Sequence, residues 1–313
     1  MTKQANLQQS LTALLQISSG LNNDGGDPRL KKIIHHLLGD ICNLIDQYDI
    51  SQEEFWQAVN YLHFLGTHQE AALLAAGLGL EHYLDIREDA RDQLQGYQGG
   101  TPRTIEGPLY VANAPLSDGF ARMDEATTQT SRDIPLWLYG KITDINGQPL
   151  SGAIVDIWHA NTLGNYSYFD KSQSEFNLRR RIRTDAQGRY CARSIVPSGY
   201  GCPPDGPTQT LLNKLGRHGN RPAHIHFFIS AHGYRHLTSQ INLNGDKYLW
   251  EDFAFATRDE LIANPVIVND EQICTQRNMP CPHTEIAFNF SLYPSHDAQE
   301  EHRIKRVRAL EAS

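Results

Sequence analysis

Two histidines separated by one residue are the sharpest chemical feature of the sequence. His224 and His226 lie in RPAHIHF, inside an apolar run typical of a strand. Alternate side chains of a strand share a face, which predicts that both imidazoles leave one face with Cα atoms roughly 6.5–7 Å apart. That spacing suits two nitrogen ligands of one metal ion. Because the chain has 14 histidines, the pair also fits a purely structural or surface role.

Loop tyrosines offer further ligands. Tyr200 is displayed by IVPSGYGCPPDG, whose prolines and glycines forbid regular structure. Tyr166 and Tyr168 lie in DIWHANTLGNYSYFD, where a strand runs into a loop. A single tyrosine usually packs its ring and bonds its hydroxyl. The sequence has no HExxH motif, and no carboxylate or cysteine lies within five residues of the histidine pair, so a common zinc or ferrous site is not indicated.

Taken together, these motifs resemble the intradiol ring-cleaving dioxygenase family. The shared runs are GNYSYFD, VPSGYGCPP, RPAHIHF and the upstream RTIEGPLYVANAP, and the resemblance covers nearly the whole chain. It implies that catechol is cleaved by dioxygen to cis,cis-muconate in the degradation of aromatic compounds. It also implies one Fe(3+) per subunit as cofactor, with Tyr166, Tyr200, His224 and His226 as the ligands.

Elementary chemistry explains why such a reaction wants phenolic ligands. Ferric iron prefers anionic oxygen donors and accepts imidazole beside them, and a bound cation favours the phenolate over the phenol. Catechol is itself a pair of phenols, so a departing tyrosinate can take one of its protons at matched basicity. The resemblance assigns Tyr200 as the ligand that leaves and Tyr166 as the one that stays, which the sequence alone does not distinguish.

The resemblance also supplies the residues around the substrate. Arg221 is implied as a pocket residue that stabilises negative charge on the ring, although a salt bridge at a strand edge is the alternative. Gln240 falls at a polar position of the pocket. The apolar wall is expected to include Leu73, Ala76, Ile105, Pro108, Leu109, Phe253 and Ala254.

The first hundred residues are predicted to be helical. Apolar positions from Leu30 to Ile45 recur every three or four residues, which indicates one face of an amphipathic helix. Ser51 and Glu54 form a capping-box pattern, and a further helix is predicted from His68 to about Leu80, where two glycines weaken it. The region is either a lid and scaffold or, as the family implies, a homodimer interface with an apolar tunnel that holds a lipid tail.

Beyond the turn-prone stretch near residues 99–102, the hydrophobic period becomes two. Many short strands between Pro/Gly turns predict a β-sandwich, with a hairpin turn at Asn146-Gly147 between the first two long strands. Two short helices are expected, one near Thr208–Leu215 and one that starts at Thr257 with Glu260 as its capping partner. The predicted fold is therefore mixed α and β. With the roles that the family resemblance implies, residues 1–100 are a helical dimerisation/linker domain and residues 101–313 a β-sandwich iron-binding catalytic domain.

The amino-acid composition disfavours some classes of binding partner. The 313 residues carry 28 basic and 36 acidic side chains, a formal net charge of −8, which disfavours nucleic acid as a partner. No apolar stretch approaches the roughly 20 residues that span a bilayer, so a membrane protein is not expected. The first residues lack the apolar region of a signal peptide, which predicts a cytoplasmic location. Five cysteines without a CxxC pair are expected to be reduced.

Two rival functions remain open on the sequence. The same chemistry would act on hydroxyquinol or a chlorocatechol if the pocket wall differed. Alternatively, the chain is a non-catalytic metal-binding β-sandwich module whose histidine pair holds zinc or nothing.

Overall fold

The computed structural model describes residues 3–125 and 132–295, and side chains from residue 9 onward within them. Contacts divide the chain into two compact units, Met1–Thr67 and His68–Ser313. The predicted division into residues 1–100 and 101–313 stays a prediction. In the described part of the chain, no helix is both long and apolar enough to cross a membrane.

Three helices form the first unit: α1 (Lys3–Ser18), α2 (Pro28–Tyr48) and α3 (Gln52–Thr67). Asp27 caps α2, because its carboxylate accepts the N–H groups of Arg29 and Leu30 at 2.8 and 3.2 Å. The predicted capping box opens α3: the Ser51 N–H donates to Glu54 at 2.9 Å, and the Glu54 N–H donates to the Ser51 hydroxyl at 3.2 Å.

The predicted apolar stripe of α2 is present but lies on the surface of the single chain. Along α2, which is described throughout, no residue is buried. Five stripe residues are each between 41% and 54% exposed: Leu30, Ile33, Leu37, Ile41 and Leu44. An apolar face of this length is typical of a surface that is covered in the functional assembly.

In the described residues of the second unit there are four α-helices and one 3₁₀ turn. They are α4 (Ala71–Gly77), α5 (Leu80–Leu94), α6 (Pro207–Lys214), α7 (Glu271–Gln276) and the 3₁₀ turn Asp259–Leu261. The helix predicted from His68 is cut short, since Gly79 adopts φ +75° and separates α4 from α5. The α6 prediction is confirmed. The helix predicted from Thr257 is wrong, and only the 3₁₀ turn forms there.

The strands described in the second unit form two sheets and one small ribbon. The strands are β1 (Leu116–Asp118), β2 (Phe120–Arg122), β3 (Pro135–Asp144), β4 (Ile154–Trp158), β5 (Arg179–Arg183), β6 (Arg189–Ile195), β7 (Tyr200–Gly201), β8 (Asn220–Arg221), β9 (His224–Ser230), β10 (Leu237–Leu243), β11 (Ile262–Ala263), β12 (Val266–Val268), β13 (His283–Ala287) and β14 (Phe290–Leu292). One sheet has the order β1-β5-β4-β9-β10-β11 and the other β12-β13-β3-β6-β2, with β14 paired to β3. The predicted β-sandwich is confirmed.

A single apolar core lies between the two sheets. It takes Leu138 and Ile142 from β3 and Val155 and Ile157 from β4, all 0–1% exposed. The alternating pattern of these strands is therefore confirmed. On β9, Ile225, Phe227 and Ile229 also face this core, which leaves the intervening histidines on the opposite face.

The hairpin predicted at Asn146-Gly147 is wrong as a strand pairing. Gly147 does turn the chain with φ +80°, but β3 pairs with β6, β13 and β14, whereas β4 pairs with β5 and β9 in the other sheet. The predicted turn itself forms, since Thr143 is bridged to Pro149 and the Leu150 N–H donates to the Ile142 carbonyl at 2.9 Å, but the chain then crosses to the other sheet before β4 begins.

Two of the five cysteines are bonded to each other. Cys274 and Cys281 form a disulfide with Cα atoms 5.7 Å apart, within the usual range for such a bridge. The expectation of five reduced thiols is therefore wrong for this pair, because α7 and the turn after it bring the two cysteine side chains together. Cys42, Cys191 and Cys202 are free.

Candidate metal centre

Strand β9 directs His224 and His226 to the same place. Their Nε2 atoms lie 3.1 Å apart, and both rings are at most 2% exposed. His224 Nδ1 lies 2.7 Å from the Pro222 carbonyl oxygen, so this nitrogen carries the proton and Nε2 keeps its lone pair. The His226 ring stacks on Trp158 at 4.9 Å and 3°, and no hydrogen-bond partner of its Nδ1 occurs among the described residues. Stacking therefore fixes this ring.

Both histidines are neutral nitrogen donors. Burial, reinforced by the Arg221 charge, lowers the pKa of His224 to about 3. Burial and the neighbouring His224 lower the pKa of His226 well below its ordinary value. Neither ring carries a proton on both nitrogens near neutral pH, as metal binding requires.

Tyr166 brings its hydroxyl to the histidines. It is 4% exposed and its hydroxyl oxygen lies 3.3 Å from His224 Nε2. Burial and then the neighbouring Tyr200 raise the pKa of Tyr166 well above its ordinary value. A bound cation would therefore be needed to hold this side chain as the phenolate.

Tyr200 completes the cluster from the ribbon β7–β8. Its ring lies edge-on to Tyr166 at 5.5 Å and 87°, and 5.5 Å from the His224 ring. Gly164 makes this approach feasible: it adopts φ +82°, and a Cβ there would stand 2.7 Å from the Tyr200 Cβ. Only glycine tolerates both conditions.

These four side chains suit a hard, trivalent cation. His224 Nε2 lies 3.1 Å from His226 Nε2 and 3.3 Å from the Tyr166 hydroxyl oxygen, the separation expected between ligands that each stand about 2.0–2.2 Å from one ion. In residues 3–125 and 132–295, no group of three or more His, Cys, Asp or Glu side chains is arranged to hold a metal. A metal at this place would depend on phenolic oxygen, which favours ferric iron over zinc.

Arg221 is locked beside the cluster by an acidic residue that the sequence analysis missed. Its Nε and Nη2 donate to the two oxygens of Asp252, each at 3.1 Å, and Nη2 also donates to Gln240 at 2.8 Å. The two charged side chains are 4% and 1% exposed. Burial alone would raise the pKa of Asp252, but the Arg221 charge and its hydrogen bonds hold it below the ordinary value. Asp252 directly precedes the predicted wall residue Phe253, which is the one local signal for it.

Gln240 belongs to a longer hydrogen-bond chain on β10. Its amide nitrogen donates to the Asn242 side chain at 2.6 Å, which in turn donates to the Thr257 hydroxyl at 2.6 Å. Opposite on β9, Gln240 pairs with His226 and Asn242 with His224. This chain of hydrogen bonds thus runs alongside both imidazoles and ends at Thr257.

Most of the predicted wall residues gather in one apolar cluster. Ile105, Ala76, Phe253 and Ala254 are buried there with Leu73 packed against them, beside Cys202 and Leu212. Leu109 instead packs with the aromatic cluster that holds Tyr166 and Tyr200. Pro108, half-buried, precedes Leu109 in the same turn.

The segment from Ile105 to Leu109 links these clusters past the metal centre. A Cβ on Gly107, which has φ +71°, would lie 3.7 Å from the His226 ring. This segment therefore connects the apolar cluster with the aromatic cluster that holds Tyr166 and Tyr200, and it passes next to the His226 ring.

Helix α4, which carries Leu73 and Ala76, is anchored at both ends by side chains that the sequence analysis missed. Before its start, the Glu70 carboxylate accepts the Thr208 N–H at 2.9 Å, at the beginning of α6. At its end, Arg217 donates to the Gly77 carbonyl at 2.7 Å and to the Phe253 carbonyl at 3.2 Å. The position of the wall helix is thus set by two charged residues outside the apolar cluster.

Comparisons with known proteins show which family this chain resembles in sequence and fold. A family model described as "Dioxygenase" matches residues 105–294, and one described as "Catechol dioxygenase N terminus" matches residues 27–96. The catechol 1,2-dioxygenase of Acinetobacter guillouiae is 56% identical over 269 residues, 86% of this chain and 88% of its own length. That of Acinetobacter baylyi is 49% identical over 302 residues, 96% of each chain. The crystal structure of catechol 1,2-dioxygenase from Pseudomonas arvilla C-1 superposes with a TM-score of 0.91 at 56% identity, covering 96% of this chain and 97% of that one.

Proposed function

The chain belongs to the intradiol ring-cleaving catechol dioxygenase family, and from this membership we propose that it cleaves catechol with dioxygen to cis,cis-muconate. The observation that carries the proposal is that His224 Nε2 has a second imidazole nitrogen, from His226, at 3.1 Å and the Tyr166 phenol oxygen at 3.3 Å. Enzymes of this family use non-haem iron. We assign one ferric ion per subunit to Tyr166, Tyr200, His224 and His226. The non-catalytic module is not retained, because the family is one of enzymes.

Ferric iron, when bound, would supply a Lewis acid that holds both phenols as phenolates and takes up the two catechol oxygens. The protein's own contribution begins with proton transfer. Tyr200 is half-buried, whereas Tyr166 is 4% exposed, which supports Tyr200 as the ligand that leaves and Tyr166 as the one that stays. On leaving, the Tyr200 oxygen would accept a proton from a catechol hydroxyl of similar basicity.

Arg221 stabilises negative charge that moves onto the substrate. Asp252 and Gln240 fix its Nε and Nη2 atoms, so the guanidinium cannot swing away as charge develops. A donor held in place before the reaction stabilises charge without reorganisation. The buried carboxylate partner also offsets the cost of burying the guanidinium charge.

The apolar wall orients the ring and excludes water. Ala76, Ile105, Phe253 and Ala254 are each at most 4% exposed, and they offer the catechol ring only carbon. Excluding water strengthens the electrostatic contribution of Arg221. The two hydroxyl groups of the substrate are thereby left to face the ligands.

Product analysis is the decisive test. Purified protein supplied with catechol and dioxygen should yield cis,cis-muconate, detected by its ultraviolet absorption and by mass spectrometry. A yellow semialdehyde would indicate extradiol cleavage and overturn the proposal. Turnover should be highest on catechol among catechol, hydroxyquinol and a chlorocatechol; equal or greater turnover on hydroxyquinol would reassign the substrate.

Metal analysis tests the cofactor separately. The native protein should contain one iron per subunit and absorb visible light strongly through phenolate-to-iron charge transfer, and it should bleach when iron is removed. A colourless, fully zinc-loaded native preparation would contradict the ferric assignment. The cytoplasmic location stays a prediction.

We infer that the exposed stripe of α2 is the interface of a homodimer, with an apolar tunnel that holds a lipid tail. Leu37→Glu places a charge in the stripe and should convert a dimer to a monomer in light-scattering measurements. Asn43→Glu adds the same charge to the exposed surface of α2, about a third of a turn from Leu37, and should leave the dimer intact. Solvent extraction and mass spectrometry of the purified protein would identify a bound lipid, whereas a monomeric parent protein would refute the interface.

A further inference from the structure

Arg179 is a buried arginine that is held by neutral acceptors alone. It opens β5 and is 1% exposed. Its Nε donates to the Ser167 hydroxyl at 2.9 Å, Nη1 to the Leu109 carbonyl at 2.8 Å and Nη2 to the Ser167 carbonyl at 3.0 Å. In the described part of the chain, no carboxylate pairs with it. Such a buried charge is costly unless an anion lies near.

Tyr166 is the group placed to supply that anion. The Arg179 guanidinium carbon lies 5.8 Å from the centre of the Tyr166 ring, and its three hydrogen bonds hold the two residues that flank the site, Ser167 and Leu109. The other buried arginine nearby, Arg221, already has its own carboxylate in Asp252. Arg179 thus carries an uncompensated positive charge against a phenol that becomes anionic when it binds a metal ion.

We propose that Arg179 is a positioning residue for Tyr166, which compensates the charge of the iron-bound phenolate and ties the ligand loop to the pocket wall. The tie follows from the hydrogen bonds: one residue donates both to Leu109, in the wall segment, and to Ser167, directly after the ligand. This inference rests on the proposed function, since it requires Tyr166 to bind iron.

Substitutions of Arg179 can separate the effect of its positive charge from the effect of its hydrogen bonds to Leu109 and Ser167. Lysine keeps the positive charge but has one nitrogen in place of a rigid fork of donors, so it cannot reach Leu109 and Ser167 in the same way. Glutamine removes the charge and most of the donors. Arg181, two residues further along β5, donates to the Ala114 carbonyl, and Arg181→Gln is the matched control for loss of a strand arginine.

The spectrum of the iron-loaded protein is the first readout. A positive charge beside a phenolate stabilises its electrons, so removing the charge lowers the energy of phenolate-to-iron charge transfer. In Arg179→Gln the visible maximum should shift to longer wavelength, and iron should be lost to a chelator about 10–100-fold faster than from the parent protein. Arg181→Gln should leave the maximum and the rate of iron loss unchanged.

Arg179→Lys supplies the second readout and covers the case in which the glutamine variant fails to fold. The visible absorption maximum of this variant should remain at the parental wavelength, because the positive charge is kept. Its KM for catechol should rise, because the hydrogen bond to the Leu109 carbonyl is lost. Equal shifts in the lysine and glutamine variants, or an unmoved maximum in Arg179→Gln, would overturn the inference. A parent protein without the iron band would overturn the proposed function itself and this inference with it, so the two failures are distinguishable.

Discussion

Tyr200 pairs directly with Arg221 across the two-stranded ribbon β7–β8. The phenol proposed to leave the metal and the arginine proposed to stabilise charge are therefore neighbours on adjacent strands. Gly199 belongs to the same contact, since a Cβ there would stand 2.5 Å from the Arg221 carbonyl oxygen. The proton acceptor and the charge-stabilising donor of the proposed reaction are thus held by one small element.

Replacing Tyr200 by phenylalanine should separate iron binding from turnover. Tyr200→Phe keeps three ligands and retains part of the iron, but it loses the exchangeable ligand and proton acceptor, so kcat per iron should fall by about 10²–10⁴-fold. Metal analysis and product formation measure the two effects. Tyr168→Phe removes the hydroxyl of a half-buried tyrosine in the loop that carries Tyr166 and should change neither. Near-normal turnover per iron in Tyr200→Phe would refute the assigned role.

Neutralising Asp252 should weaken both the fold and the reaction. Asp252→Asn leaves Arg221 as a buried, uncompensated charge, which typically costs about 3–5 kcal/mol. The loss is measured as the shift in free energy of unfolding by denaturant titration. Turnover per iron should also fall, since Arg221 loses a bidentate partner. Asp259→Asn, at an exposed position of the neighbouring 3₁₀ turn, is the matched control and should be neutral.

The same pair predicts a pH dependence of stability. Because Arg221 holds the pKa of Asp252 below its ordinary value, the pair contributes stability above the unfolded pKa, near 4, and loses it as pH falls through the folded value. The difference in unfolding free energy between the parent protein and Asp252→Asn should be constant from about pH 5 to 8 and shrink below about pH 4. A difference that instead shrinks as pH rises above 7 would contradict the assignment.

The histidine face could be predicted from sequence because it depends on the strand alone. Alternation along β9 places Ile225 and Phe227 in the core and His224 and His226 on the other face, whichever strands lie beside it. The capping box of Ser51 likewise needs only four consecutive residues. Local patterns of this kind, together with the family motifs, were sufficient to predict the fold class.

What could not be predicted depends on partners distant in the chain. Asp252 is 31 residues from Arg221, and nothing near the arginine indicates it. Thr257 has a capping-box pattern but no helix, because its hydroxyl donates to the Leu249 carbonyl and accepts from Asn242, both at 2.6 Å. The Thr257 hydroxyl therefore forms these tertiary hydrogen bonds instead of capping a helix.

Gly164 provides a test of the contact between the two tyrosine loops. Gly164→Ala forces a Cβ to within 2.7 Å of the Tyr200 Cβ at φ +82°, so the loop that carries Tyr166 must shift. Iron content and turnover should both fall. Gly147→Ala is the matched control: it has a similar φ of +80° but no atom within 4 Å of the added Cβ. Both variants should lose about 1–2 kcal/mol of stability through backbone strain; Gly164→Ala should lose more because of the contact with Tyr200, and only Gly164→Ala should lose iron.

Releasing the wall helix should widen the range of substrates. Arg217 donates to Gly77 and to Phe253, so Arg217→Gln frees the end of α4 that bears Ala76. The catechol KM should rise, while turnover of 4-methylcatechol relative to catechol increases because the wall yields to the methyl group. Lys214→Gln makes the same charge change at an exposed position on α6 and should leave the ratio unaltered. An unchanged ratio in Arg217→Gln would show that the apolar cluster alone holds the wall.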